Sequence, residues 1–241
     1  MLRREFSHYL GTLIAASPMI HLQGIGEADH TTILFQGDSI TDGGRDRGHY
    51  YANSMRGMGK GYVAQVATEL LGGHPDKSLK IYNRGISGHK VHQLQERWVD
   101  DCLNLKPDIL SVMIGVNDYW HTLTHSYAAG PDVYKSDLLD LLNSTKKELP
   151  NIKMIIAEPF YVRGGTSINN EVWKADFPIY QSSCREVAEE IQAAFIPLQS
   201  IFDEALKEYP VKYWCPDGVH PSLAGSYLMS EAWLAVLKEM I

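Results

Sequence analysis

Five short apolar runs recur along this chain, each separated from the next by residues with helical spacing. The third run, residues 109–114, constrains the fold most. Its apolar side chains are nearly continuous, so a strand there must be buried on both faces. Residues 31–36 form the first run, β-branched and apolar, and stop at Gly37. Residues 79–83 are the second, ended by Arg84-Gly85, and residues 152–157 and 194–198 complete the set. Between them, residues 61–71 place Val63, Val66, Ala67 and Leu70 on one helical face. Residues 91–105 read as a helix closed by Pro107, and residues 135–149 carry Leu138, Leu141, Leu142 and Leu149 at helical spacing. A further helix starts near Pro178, since proline inside a helix removes a hydrogen bond, and Ile179, Val187 and Ile191 supply its buried face. Residues 222–241 close the chain as a long helix with Leu223, Tyr227, Leu234, Leu237 and Ile241. This alternation predicts an α/β protein with a five-stranded parallel sheet covered on both faces.

At 241 residues, with no internal repeat or Pro/Ser-rich linker, the simplest organisation is one domain over residues 29–241. Residues 1–28 stand apart. Arg3-Arg4-Glu5-Phe6 precedes a mildly apolar run from Tyr9 to Leu22, followed by small residues at Gly26 and Ala28. The pattern resembles a twin-arginine export signal, which would direct the chain to the periplasm or outside. Ser17, Pro18 and His21 interrupt the apolar run, so an ordinary N-terminal helix on a cytoplasmic protein is the alternative.

Net charge is −7, which disfavours nucleic acid or an anionic membrane as partner. No stretch is long and apolar enough for a membrane span. Cys102, Cys184 and Cys215 form no CxxC pair and read as small buried hydrophobes. His89 with His92, and His121 with His125, have helical spacing but no carboxylate placed as in a zinc hydrolase, so no metal is expected. Gly37, Gly43 and Gly44 match neither dinucleotide nor phosphate-loop patterns, so no cofactor is expected.

Parallel strands bind ligands beyond their carboxyl ends. Three polar and glycine motifs fall there: Gly37-Asp38-Ser39-Ile40, Asn83-Arg84-Gly85-Ile86-Ser87-Gly88 and Gly115-Val116-Asn117-Asp118. A fourth, Asp217-Gly218-Val219-His220, precedes the last helix. A serine hydroxyl needs a base to take its proton, and histidine is the usual one. Asp217 lies within a turn of His220 and can orient its ring. The Ser39 N–H, the Gly88 N–H and the Asn117 amide can donate to a carbonyl oxygen as it gains charge. Each motif alone is a common turn or cap; their joint occurrence at strand ends points to nucleophilic catalysis by Ser39, His220 and Asp217.

From residue 31 to the C-terminus, these four blocks resemble those of the SGNH superfamily of GDSL-type esterases and lipases. Isoleucine at Ile40 replaces the leucine of the family name and leaves the serine untouched. The resemblance implies a flavodoxin-like α/β/α sandwich and an oxyanion hole of Ser39, Gly88 and Asn117. It also implies serine esterase activity without cofactor. The family spans polysaccharide acetyl esterases, lysophospholipases and thioesterases. A short acyl group, acetyl on a carbohydrate, is the preferred substrate, because aromatic residues flank the motifs. Tyr119, Trp120 and Trp214, with Asp38, are the candidate substrate contacts. The alternatives are a lysophospholipase or thioesterase, or a non-catalytic carbohydrate-binding protein on the same fold. The polar loop over residues 42–60 reads as solvated, with Arg45 or Arg47 available to an anionic substrate group.

Overall fold

The computed structural model describes residues 30–240. The five apolar runs form strands: β1 (Thr31–Gly37), β2 (Leu79–Asn83), β3 (Ile109–Met113), β4 (Lys153–Ala157) and β5 (Ala194–Ile196). All are parallel, in the order β2-β1-β3-β4-β5. The last strand is shorter than its apolar run because Pro197 lacks the N–H a sheet needs. Every residue of β3 is buried, as its nearly continuous apolar sequence demands, and the one polar side chain, Ser111, has a hydrogen-bond partner in Trp233.

The helices are α1 (Ser39–Asp42), α2 (Met55–Met58), α3 (Tyr62–Gly73), α4 (Val91–Asp101), α5 (Val116–Thr124), α6 (Pro131–Glu148), α7 (Asn170–Glu190), α8 (Leu198–Glu208), α9 (Val211–Trp214) and α10 (Leu223–Met240). Helix α10 packs on α3 across one face of the sheet, while α4, α6 and α7 cover the other. The result is the three-layer α/β/α arrangement implied by the sequence. Trp233 on α10 fixes the first layer, with its ring 4.9 Å from that of Phe35 and its Nε1–H donating to Ser111 Oγ at 2.9 Å. On the opposite layer, the buried Trp98 Nε1–H donates to Thr145 Oγ1 at 2.8 Å, tying α4 to α6.

Helix α7 departs from the sequence expectation. It begins at Asn170 rather than near Pro178 and runs through the proline. Asn169 caps it by accepting from the N–H of Glu171 at 3.2 Å. Trp173, Phe177, Tyr180, Cys184 and Val187 form its buried stripe, and Ile179 faces out. Pro178 sits on the exposed side, where water can reach the carbonyl it leaves unpaired. Burial of four large side chains outweighs one missing hydrogen bond. Two more sequence assignments fail at the start of α10, where Leu223 and Tyr227 are exposed. The three cysteines are free and buried. The proposed export segment lies outside the described residues. Among these residues, no helix is long and apolar enough to cross a membrane.

Replacing Trp233 with Phe removes the indole donor to the buried Ser111 hydroxyl while keeping an aromatic ring against Phe35. The expected loss is about 1–3 kcal/mol, the cost of a buried polar group losing its partner. Urea denaturation of the variant should give a lower midpoint at an unchanged slope.

Candidate active site

The chain leaves β1 for β2 on one side and returns to place β3 on the other. This reversal opens a crevice beyond the carboxyl ends of β1 and β3. Gly37-Asp38-Ser39 follows β1, and Gly115-Val116-Asn117 follows β3. Ser39 opens α1, whose cap is Asp38: its Oδ1 accepts from the N–H of Ile40 at 3.0 Å. The turn ends at Gly43 with φ of 56°. A short helix starting at the strand end lifts the Ser39 hydroxyl to the rim, where it is half-buried.

The Ser39 Oγ lies 2.8 Å from His220 Nε2, although the residues are 181 apart in sequence. On the far side of the ring, His220 Nδ1 lies 2.7 Å from Asp217 Oδ2. Asp217 Oδ1 accepts from the N–H groups of Val219 at 2.9 Å and His220 at 2.7 Å. Partial burial works against the charge on Asp217, but the His220 ring and these two N–H groups outweigh it and bring the pKa down to about 2. His220 moves the other way, above 6.5, chiefly through its hydrogen bond to Asp217 and against the effect of burial. The pair is a charged acceptor holding a basic imidazole whose second nitrogen faces a hydroxyl.

Asn117, on the first turn of α5, donates one Nδ2–H to the His89 carbonyl at 3.2 Å, which sets its amide beside Gly88. Gly88 has φ of 81°, which L side chains rarely adopt, and a Cβ built there would meet nothing within 4 Å. The glycine is thus required by backbone conformation, and the space above it is open to a substrate. Of the five residues assigned to the chemistry from sequence, the structure joins Ser39, His220 and Asp217 in one hydrogen-bonded chain and sets Asn117 beside Gly88.

The four expected substrate contacts divide. Trp120 is partly buried, with its ring 6.4 Å from that of His220 and 5.8 Å from Trp173, so it does line the site. Tyr119 instead turns into the core against Trp173, Phe177 and Tyr180, and its hydroxyl donates to the Val172 carbonyl at 3.1 Å. Trp214 is buried as well, its Nε1–H donating to the Ala205 carbonyl at 2.9 Å. Asp38 is also buried, and its carboxylate is spent on the cap. Adjacency in sequence misled here, because successive residues on a helix point in different directions. The loop after α1 is likewise not simply solvated: Arg45 is buried and its Nε–H donates to the Gly85 carbonyl at 2.8 Å. Among the described residues, no group of three or more His, Cys, Asp or Glu is arranged to hold a metal ion.

A support that sequence reasoning missed is the segment after β4. Val162 N–H donates to the Gly218 carbonyl at 2.8 Å, Thr166 to Pro216 at 3.1 Å and Ser167 to Asp217 at 2.9 Å. Gly165 lies against the backbone of Asp217 and Gly218, too close for any Cβ. A methyl group there must push the Asp217–His220 loop aside. Gly165→Ala is expected to lower stability by about 1–3 kcal/mol, as for other overpacked sites. It should also depress ester turnover more than Thr166→Ala, which keeps the backbone hydrogen bond; melting temperature and kcat measured on both variants check this.

The parallel sheet, the switch-point crevice and the serine–histidine–aspartate chain define a hydrolase of the α/β/α class. The profile of the GDSL-like lipase/acylhydrolase family matches residues 35–228, and the chain belongs to this family. The protein is a carboxylic ester hydrolase. It is 36% identical over 211 residues to an acetylxylan esterase of Geobacillus stearothermophilus, covering 84% of this chain and 91% of the relative. A crystal structure of an acetylxylan esterase from that organism superposes with a TM-score of 0.76 at 33% identity, covering 88% of this chain and 95% of the other. A Parabacteroides merdae structure described as a GDSL-like lipase has a TM-score of 0.86 at 49% identity, covering 89% and 99%.

Proposed function

We propose that this esterase removes acetyl groups from acetylated carbohydrate, with Ser39 as nucleophile, His220 as base and Asp217 as orienter, through an acyl-enzyme. The observation that carries the mechanism is the continuous hydrogen-bonded chain from Ser39 Oγ through the His220 ring to Asp217. His220 Nε2 takes the Ser39 proton as Oγ attacks the ester carbonyl. The N–H groups of Ser39 and Gly88 and the second Nδ2–H of Asn117 receive the oxyanion. His220 then protonates the leaving sugar hydroxyl, and a water activated by the same ring releases acetate. The similarity to an acetylxylan esterase supports the substrate class. Trp120, backed by Trp173 beside His220, supports a short acyl group, because two indoles leave little room for a chain.

Release of acetate from acetylated xylo-oligosaccharides, and hydrolysis of p-nitrophenyl esters of increasing chain length, test this reading. Acetate is expected to be the best acyl group, and Ser39→Ala to be inactive. Equal activity in the two proteins would discard Ser39 as nucleophile. Asn117→Ala should lose on the order of 10²-fold in kcat, the usual cost of one oxyanion donor.

The pH dependence follows from the state of His220. A protonated ring cannot accept the Ser39 proton, and the raised pKa preserves that proton to higher pH. Activity should therefore fall as pH drops through a midpoint above 6.5. Profiles of kcat/KM should show that midpoint moving down in Asp217→Asn, together with a large loss of rate, because the carboxylate that holds the proton on the ring is gone.

A further inference from the structure

Asp42 follows Ser39 on the same short helix, α1, and its side chain is 3% exposed. Its Oδ2 accepts three hydrogen bonds: from the Ser87 N–H at 3.0 Å, the Ser87 hydroxyl at 3.2 Å and Arg47 Nη2 at 2.8 Å. Its Oδ1 accepts from the N–H of Arg45 at 3.0 Å. Ser87 immediately precedes Gly88. One carboxylate thus bridges the turn that carries the nucleophile and the turn that carries the second N–H donor, which come from different strands.

Backbone tethers hold the start of the second turn. Ile86 N–H donates to the Gly37 carbonyl at 3.0 Å, and Asn83 Nδ2–H to the Thr41 carbonyl at 2.7 Å. Past Ile86, where the loop departs from the β1 terminus, it is Asp42 that grips Ser87. Only an ionised carboxylate, an acceptor at both oxygens, can take all four donors. Burial opposes that charge, but Arg47 and the N–H groups of Ser87 and Arg45 outweigh it and hold the pKa below the ordinary aspartate value. Arg47 has a second effect. A bare carboxylate near the site would repel a developing oxyanion, and the guanidinium offsets it.

We propose that Asp42 is a positioning residue for the oxyanion hole: its carboxylate sets the spacing between the N–H groups of Ser39 and Gly88. The proposal rests on the reading of those two groups as oxyanion donors. A donor displaced by a fraction of an ångström still meets the planar ground-state ester, but it stabilises the tetrahedral oxyanion less. Asp42 therefore acts on kcat and leaves KM nearly untouched.

Asp42→Asn keeps the volume and turns one acceptor oxygen into a donor facing other donors. With p-nitrophenyl acetate, kcat is expected to fall about 10- to 100-fold, somewhat less than outright loss of a donor, with KM within about twofold. A trifluoromethyl ketone adds to the serine and puts an oxyanion in the same place, so its inhibition should weaken in proportion to kcat/KM. General loosening of the fold would not link those two quantities. Wild-type kcat in Asp42→Asn, or a loss confined to KM, overturns the proposal. Ser39→Ala separates the two levels of the argument: if it stays active, the donor reading itself fails. If it is inactive while Asp42→Asn is unimpaired, the positioning role alone fails. Should Asp42→Asn not fold, Arg47→Gln at the half-exposed partner carries the test. It should lower kcat about three- to tenfold at constant KM, with inhibitor affinity following. No change in either quantity overturns the proposal equally.

Discussion

A parallel strand cannot be joined to its neighbour by a tight turn, and this constraint organises the whole molecule. Each connection has to climb out of the sheet, cross a face as a helix and come back to the starting edge. The crossover helices cover the sheet and allow β3 to be buried along its full length. The same crossovers deliver the carboxyl ends of β1, β2 and β3 to one edge, with the order reversing beside β1. Ser39, Gly88 and Asn117 need no long-range guidance beyond that. His220 is the exception: it comes from a loop ahead of α10 that is held by the segment after β4 rather than by the sheet.

Carboxylates in this neighbourhood show how much surroundings decide. Asp38 and Asp118 are both buried, and burial pushes each up to about 7 in spite of a backbone N–H donated to each. Asp217 is less buried and receives three hydrogen bonds, and it stays at about 2. Near neutral pH, Asp217, whose Oδ2 meets the ring nitrogen, therefore carries full negative charge beside His220. One residue type serves as helix cap and as charged orienter through differences in donors and desolvation.

The strands, and the turns that carry the five candidate residues, were legible in the sequence because both signals are local. An apolar run of fixed length marks a buried strand, and a glycine-rich polar turn directly after it marks the binding edge. What was not legible depended on side-chain direction. Tyr119 and Trp120 are neighbours in sequence, yet one packs in the core and the other stands beside His220. Trp214 sits close to Asp217 in sequence and points away from it. Pro178 was given too much weight, since its local penalty is small against the stripe from Trp173 to Val187, which becomes visible only when the helix is traced from Asn169. The charged loop after α1 looks solvated in sequence because charge usually means exposure; the acceptor that holds the buried Arg45, the Gly85 carbonyl, lies on a different strand connection.

The 181-position separation of Ser39 and His220 also has a meaning in time. A growing chain makes the turn that carries Ser39 early and all five strands before His220. Helix α10, which begins just beyond His220, then brings Trp233 onto Phe35 and closes the exposed face of the sheet. His220 and the helix that covers this face of the sheet thus belong to one stretch of chain, the last to be made. A chain broken off before Asp217 has all five strands and Ser39, and the hydrogen-bonded chain to that serine is completed only by the last segment.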